Sequence, residues 1–250
     1  MFELTGRTAF VTGAATGLGQ AIAVALAQAG ARIALSDKPG VDLGETTSLC
    51  ARHGQKITTI DMDVRNIDQI RTGMQTIESR FGVVDILVNN AGINRPSSGL
   101  DVDEQNWNDH FDTDVRGGFF CAQAVAVGMI ERKFGRIIFI SSQSGLVGIP
   151  GQPVYCAAKG AIINLVRTLG VEWAKHGITV NSVAPTFVET NLTRKRLQDP
   201  EFRRFVLGKI PKGELATPED VAWAAVYLAS NEASMVNCAN LPVDGGWTAW

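Results

Sequence analysis

The chain has no CxxC pair, and its four cysteines (Cys50, Cys121, Cys156 and Cys238) are widely scattered. That spacing excludes a disulfide framework and a dithiol centre, and it fits reduced thiols in a cytoplasmic protein with no metal site. Charge of one sign is lacking too. A net charge of -2 with 19% charged residues gives no basic excess for nucleic acid and no charged tail. No unbroken apolar run approaches the ~20 residues that span a bilayer. The opening MFELTGRTAFVTG lacks a positive segment followed by an apolar core, so neither membrane insertion nor export is expected. Repeats, low-complexity tracts and linkers are also missing, and the expectation is one domain over residues 1–250.

What the chain does have is alternation. Short β-rich apolar runs recur between helical patterns, the signature of a parallel sheet covered on both faces. Strands are expected at Thr8 to Thr12, Arg32 to Asp37, Lys56 to Asp61, Ile86 to Asn89, Arg136 to Ser141, Thr179 to Ala184 and Asn240 to Val243. With right-handed crossovers the fold class is α/β, a doubly wound seven-stranded parallel sheet of Rossmann type.

The first strand runs into TGAATGLG and then a helical pattern. Glycines there permit a tight turn and let the backbone approach a pyrophosphate at a helix N-terminus, so Gly13, Thr16, Gly17, Leu18 and Gly19 are candidate cofactor ligands. Asp37 ends the second strand, where a carboxylate can accept from both adenosine ribose hydroxyls and repel a 2′-phosphate. This argues for NAD, although the adjacent Lys38 would tolerate the phosphate. Asp63 and Val64 are placed to flank an adenine. Asn89, Asn90, Ala91 and Gly92 put amides and uncluttered backbone at the end of the fourth strand, suited to a ribose and to bracing the sheet.

The chemistry centres on Tyr155 and Lys159, one helical turn apart and therefore on one helix face. A cation beside a phenol favours the phenolate. Ser142, thirteen residues before Tyr155, closes the apolar run RIIFISS, where its hydroxyl can face a cleft at the sheet's carboxyl edge.

TGxxxGxG at Thr12 to Gly19, NNAG at Asn89 to Gly92, Ser142 and YxxxK at Tyr155 to Lys159 stand in the order and spacing of the short-chain dehydrogenase/reductase family, which the chain resembles over essentially its whole length. The resemblance implies a nicotinamide cofactor, Tyr155 as acid/base, Lys159 holding the nicotinamide ribose and depressing the tyrosine pKa, and Ser142 bonding the reacting oxygen. It also implies Val188 and Thr190 at the nicotinamide carboxamide, a substrate lid over about 186–213, and a homotetramer built on the two long helices after the fourth and fifth strands. Two positions depart from the pattern. Asp114 stands where the family has a catalytic asparagine that supports a proton-relaying water, and a carboxylate accepts but cannot donate. Thr186 stands where glycine is usual and is expected to stiffen the entrance to the lid.

Arg95, just after NNAGIN, is placed to grip a carboxylate, and Gln143 and Ser144 to bind hydroxyls. The basic run from Arg194 to Lys212 offers a cationic field, or simply a solvated surface. Trp247 and Trp250 close the chain, either packed within the subunit or tucked against a neighbour, with Trp250 a candidate wall of the substrate pocket. The expected activity is NAD-dependent hydride transfer at a secondary alcohol or ketone of a sugar acid, 2-keto-3-deoxy sugar acid, sugar or polyol, a class that resemblance to sugar-acid members of the family also implies. The alternatives are an NADPH-dependent 3-oxoacyl carrier-protein reductase and a non-catalytic nucleotide-sensing Rossmann protein.

Overall fold

A computed structural model describes residues 1–190 and 193–249. In chain order, β1 (Thr8–Thr12), α1 (Gly17–Gln28), β2 (Arg32–Asp37), α2 (Gly44–Ala51), β3 (Ile57–Asp61), α3 (Ile67–Phe81) and β4 (Ile86–Asn89) form the first half. There follow α4 (Glu104–His110), a π-helical segment (Phe111–Gly117), α5 (Gly118–Arg132), β5 (Gly135–Ile140), α6 (Pro153–Trp173), β6 (Ile178–Pro185), α7 (Arg194–Leu197), α8 (Pro200–Lys209), α9 (Pro218–Ala229) and β7 (Asn240–Val243). All seven expected strands are present. Their limits differ by one residue where an end lies in the ladder or just outside it: Lys56 and Ser141 fall outside, while Gly135, Ile178 and Pro185 fall inside.

The sheet is parallel throughout, in the order β3-β2-β1-β4-β5-β6-β7. Central strands are buried on both faces and read as unbroken apolar runs, as β1 does; β3, at an edge, alternates buried and exposed residues. Successive side chains point to opposite faces. Ala9 and Val11 accordingly join the core under α1 and α9, while Phe10 joins the core under α3, α5 and α6.

Pro153–His176 does pass, by length and mean composition, as able to cross a membrane, and it is the one such helix among the described residues. Here it is α6 with its following turn, and Ile162, Val166 and Leu169 are buried in the second core. Thr217, Pro218 and Asp220 form the N-cap, N1 and N3 of α9, with a complete capping box. Such a cap contributes about 1 kcal/mol.

Candidate active site

At the carboxyl ends of β1 and β4, where the strand order reverses, lies a cavity of about 510 Å³. The N-terminus of α1 opens onto it. Thr16 makes no side-chain cap there and the first turn carries no acid, whereas Asn66, Asp103, Asp199 and Thr217 cap α3, α4, α8 and α9. Unsatisfied N–H groups and the positive helix end therefore face a wall made by Gly13, Thr16, Gly17 and Leu18, a ready site for a pyrophosphate. Gly13 and Gly17 have φ of +62° and +61°. Gly19 lies beneath the turn, where a Cβ would fall 2.1 Å from Gly13 O.

Asp37, Lys38, Asp63, Val64 and Arg65 line one end. Asp37 accepts from Ala15 N at 3.1 Å and Lys38 N at 2.9 Å. Two of its roughly four lone-pair sites are thus spent fixing the turn, and two remain for a ribose. Asp63 is held by Arg65 through Nε and Nη2, at 2.6 Å for the latter, and this bond keeps its carboxyl below the usual range. The asparagines act as braces: Asn90 Nδ2 donates to Thr12 O and Gly13 O, and Asn89 Nδ2 to Gly118 O. Asn90, Ala91 and Gly92 also line the cavity, as do Val188 and Thr190 opposite.

Ser142, Tyr155 and Lys159 come together at the other end. Ser142 Oγ accepts from Ser144 N at 3.1 Å, which leaves its own hydrogen to donate on the side of Tyr155. Lys159 is buried; its Nζ donates to Ile140 O at 3.1 Å, lies 3.0 Å from Asp114 Oδ2 and 5.4 Å from the Tyr155 ring centroid. Asp114, in the π-helical segment, accepts from Ile93 N at 2.9 Å through Oδ1. Its Oδ2 forms the ion pair without an aligned hydrogen bond. Gly92 makes room for the pair, since a Cβ there would lie 3.3 Å from both charged atoms.

Lys159 acts on Tyr155 in the expected direction, but burial outweighs it. Burial pushes the Tyr155 hydroxyl above its ordinary pKa; Lys159 and Ser142 act to lower it and Asp114 to raise it, and the net direction is upward. For Lys159, burial works against the charged form, but Asp114 and Tyr155 outweigh it and raise the pKa. Lysine charge alone thus does not set the tyrosine. Cys50 and Cys121 take no part, because burial lifts their thiols to about 11 and about 12.

Several expected substrate contacts fall elsewhere. Gln143 and Ser144 are buried and outside the cavity wall. Arg95 lines the cavity, with its guanidinium bonded to Asp109. In the basic segment, Arg203 pairs with Glu189, Lys212 with Glu214, and Arg196 lies over Phe202. None of these cations reaches the cavity, as befits surface pairs worth about 0–1 kcal/mol. Thr186 does reach it, with its Oγ1 buried and unbonded. Trp247 packs within the subunit against Phe187 and Phe205, in a small core with Ile149, Leu197, Val206 and Ile210; Trp250 lies outside the described residues. Met62, Arg65, Asp109 and Thr113, which sequence reasoning passed over, also line the cavity.

The family model described as Enoyl-(Acyl carrier protein) reductase matches residues 13–248. The chain belongs to the short-chain dehydrogenase/reductase family. Among relatives of this short-chain dehydrogenase/reductase, a gluconate 5-dehydrogenase of Gluconobacter oxydans is 37% identical, covering 99% of this chain and 97% of its own. A 3-oxoacyl-[acyl-carrier-protein] reductase of Vibrio cholerae is 38% identical, over 98% of each chain. The solved structure of a gluconate 5-dehydrogenase from Burkholderia cenocepacia, in complex with NADP and tartrate, is 35% identical, with a TM-score of 0.93 over 100% of this chain and 98% of that one. This short-chain enzyme is an oxidoreductase, and its uncapped α1 N-terminus with the flanking glycines fits a nicotinamide dinucleotide.

Proposed function

We propose that the chain is an NAD-dependent dehydrogenase acting on a secondary hydroxyl of a small sugar acid, 2-keto-3-deoxy sugar acid, sugar or polyol. The observation that carries it is one continuous cavity with Asp37 at one end, the open α1 N-terminus along it and Ser142, Tyr155 and Lys159 at the other, with Arg95 on its wall beside Asp109. The curated gluconate dehydrogenase relatives support the substrate class. When bound, the dinucleotide supplies the hydride acceptor or donor. In oxidation, the Tyr155 phenolate takes the substrate hydroxyl proton while Ser142 donates a hydrogen bond to the same oxygen. Lys159 holds positive charge beside the phenolate, Asp114 balances that charge, and Val188 and Thr190 hold the carboxamide end. Residues 186–213 serve as the lid of a single catalytic domain, a role supported by Thr186, Val188, Thr190 and Thr193, which line the cavity.

Val127 on α5 and Val171 on α6, 62% and 74% exposed, support a homotetramer built on these helices. Four free thiols support a cytoplasmic setting.

The test is reduced-nicotinamide absorbance with NAD or NADP against aldonic acids, 2-keto-3-deoxy acids, polyols and an acyl thioester. Turnover of NAD with a sugar acid is expected; turnover confined to NADPH and the thioester would replace the reading with a 3-oxoacyl reductase, and binding without any turnover with a nucleotide sensor. Asp37→Ala is expected to move the kcat/KM ratio at least tenfold toward NADP, because it removes the carboxylate that repels a 2′-phosphate and leaves Lys38 beside that position. An unchanged ratio would remove Asp37 from cofactor choice.

A further inference from the structure

One side of the cleft is organised around a single cation. Arg95 N–H donates to His110 Nε2 at 3.2 Å, and Arg95 O accepts from Asn106 Nδ2 at 3.3 Å, so the last two turns of α4 grip its backbone from both sides. His110 Nδ1 lies 2.8 Å from Asn106 O, and only the neutral tautomer with its proton on Nδ1 satisfies both contacts. The side chain is held as well. Arg95 Nη1 donates to Asp109 Oδ2, while Gln105 Nε2 fixes the other carboxylate oxygen from 2.8 Å. Asp109 is buried, and Arg65 Nη1 stands 3.7 Å from its Oδ1, so the carboxylate is tethered from three directions. Only one of the five guanidinium donors of Arg95 is thereby engaged. Its side chain is 58% exposed and lines the cavity, so the Nε and Nη2 edge remains open to a ligand.

We propose that Asp109, seated by Gln105 and assisted by His110, is a specificity-determining positioning residue that presents Arg95 to the carboxylate of the substrate. The inference rests on the sugar-acid reading above and names the device that selects an acid over the corresponding neutral polyol. A guanidinium fixed before binding meets a carboxylate with two parallel N–H donors and no search among rotamers. The fixed geometry also favours a planar anion, whose two oxygens match the two parallel donors, over a lone uncharged hydroxyl oxygen.

The test compares kcat/KM for a sugar acid and for its neutral alditol in the full-length enzyme. Arg95→Ala is expected to lower the acid-to-alditol ratio at least tenfold. Asp109→Asn is expected to lower it about tenfold through KM for the acid rather than kcat, and the double variant to match Arg95→Ala, since residues acting as one unit are not additive. If Asp109→Asn does not fold, Gln105→Ala, which releases only the orienting bond, is expected to give a smaller fall in the same ratio. A ratio that falls with Arg95→Ala but stands unchanged in Asp109→Asn and Gln105→Ala overturns this inference and spares the sugar-acid reading. A ratio unmoved by Arg95→Ala likewise overturns this inference alone, whereas no turnover of any acid by the parent enzyme overturns both.

Discussion

Tyr155→Phe is expected to turn over on the order of 10²–10⁴-fold more slowly than the parent, the range a positioned acid/base supplies. Cofactor affinity is expected to stay within a few-fold. The substitution removes one oxygen and keeps the ring, so its edge-on contact with His110, at 6.3 Å between centroids, survives. Lys159 keeps its bond to Ile140 O and its Asp114 partner, and so gains no unpaired buried charge. Dinucleotide titration monitored by fluorescence, alongside initial rates, separates the two effects. Turnover within tenfold of the parent would remove Tyr155 from the proton-transfer step.

Asp114→Asn is the second large change, and its sign follows from the charges facing Tyr155. The carboxylate stands against the phenolate and, with burial, holds the tyrosine protonated beyond its ordinary range; Lys159 and Ser142 oppose it, and the neutral His110 adds no charge. Oxidation needs the phenolate, so the parent's oxidative rate should climb through alkaline pH. Reduction needs the phenol and should hold through neutral pH. Replacing the carboxylate with an amide removes the negative charge, lowers the tyrosine pKa and moves the oxidative limb to lower pH. The reductive rate then begins its fall at lower pH as well. The amide can still accept from Ile93 N, so the fold is retained, but Lys159 loses its buried counter-charge. Breaking such a pair costs up to about 3–5 kcal/mol, so a lower melting temperature should accompany the shift. Complete pH profiles in both directions test this, and an unchanged oxidative limb would mean that Asp114 does not act on the tyrosine electrostatically.

That Ser142, Tyr155, Lys159 and the glycine turn share one cavity was legible because their placement depends on local geometry: a strand end, one helical turn, a helix N-terminus. The strands were legible because burial on both faces leaves continuous apolar runs. What stayed hidden depends on long-range packing. The sequence names Lys159 as a partner of Tyr155 but not the depth at which both sit, and burial outweighs the lysine's effect on the tyrosine pKa. Arg95 and Asp109 are fourteen positions apart on different elements, and neither side of that pair announces the other. The polar residues Gln143 and Ser144 follow Ser142, yet a short turn folds them inward. At the chain's end, Trp247 packs within the subunit, and composition alone could not separate that from packing between subunits.

The π-helical segment from Phe111 to Gly117 gives α4 and α5 different angular phases along what would otherwise be one long rod. Each residue of an α-helix turns the chain by about 100°, so a wider turn rotates everything after it relative to everything before. Asp109 and His110 stand upstream of that adjustment, and Asp114 falls within it. The anchor for Arg95 and the counter-charge for Lys159 are therefore not locked to a common helical phase, although they share a covalent backbone. In this chain the segment is thus a joint at which the anchor of Arg95 and the counter-charge of Lys159 can be re-aimed separately.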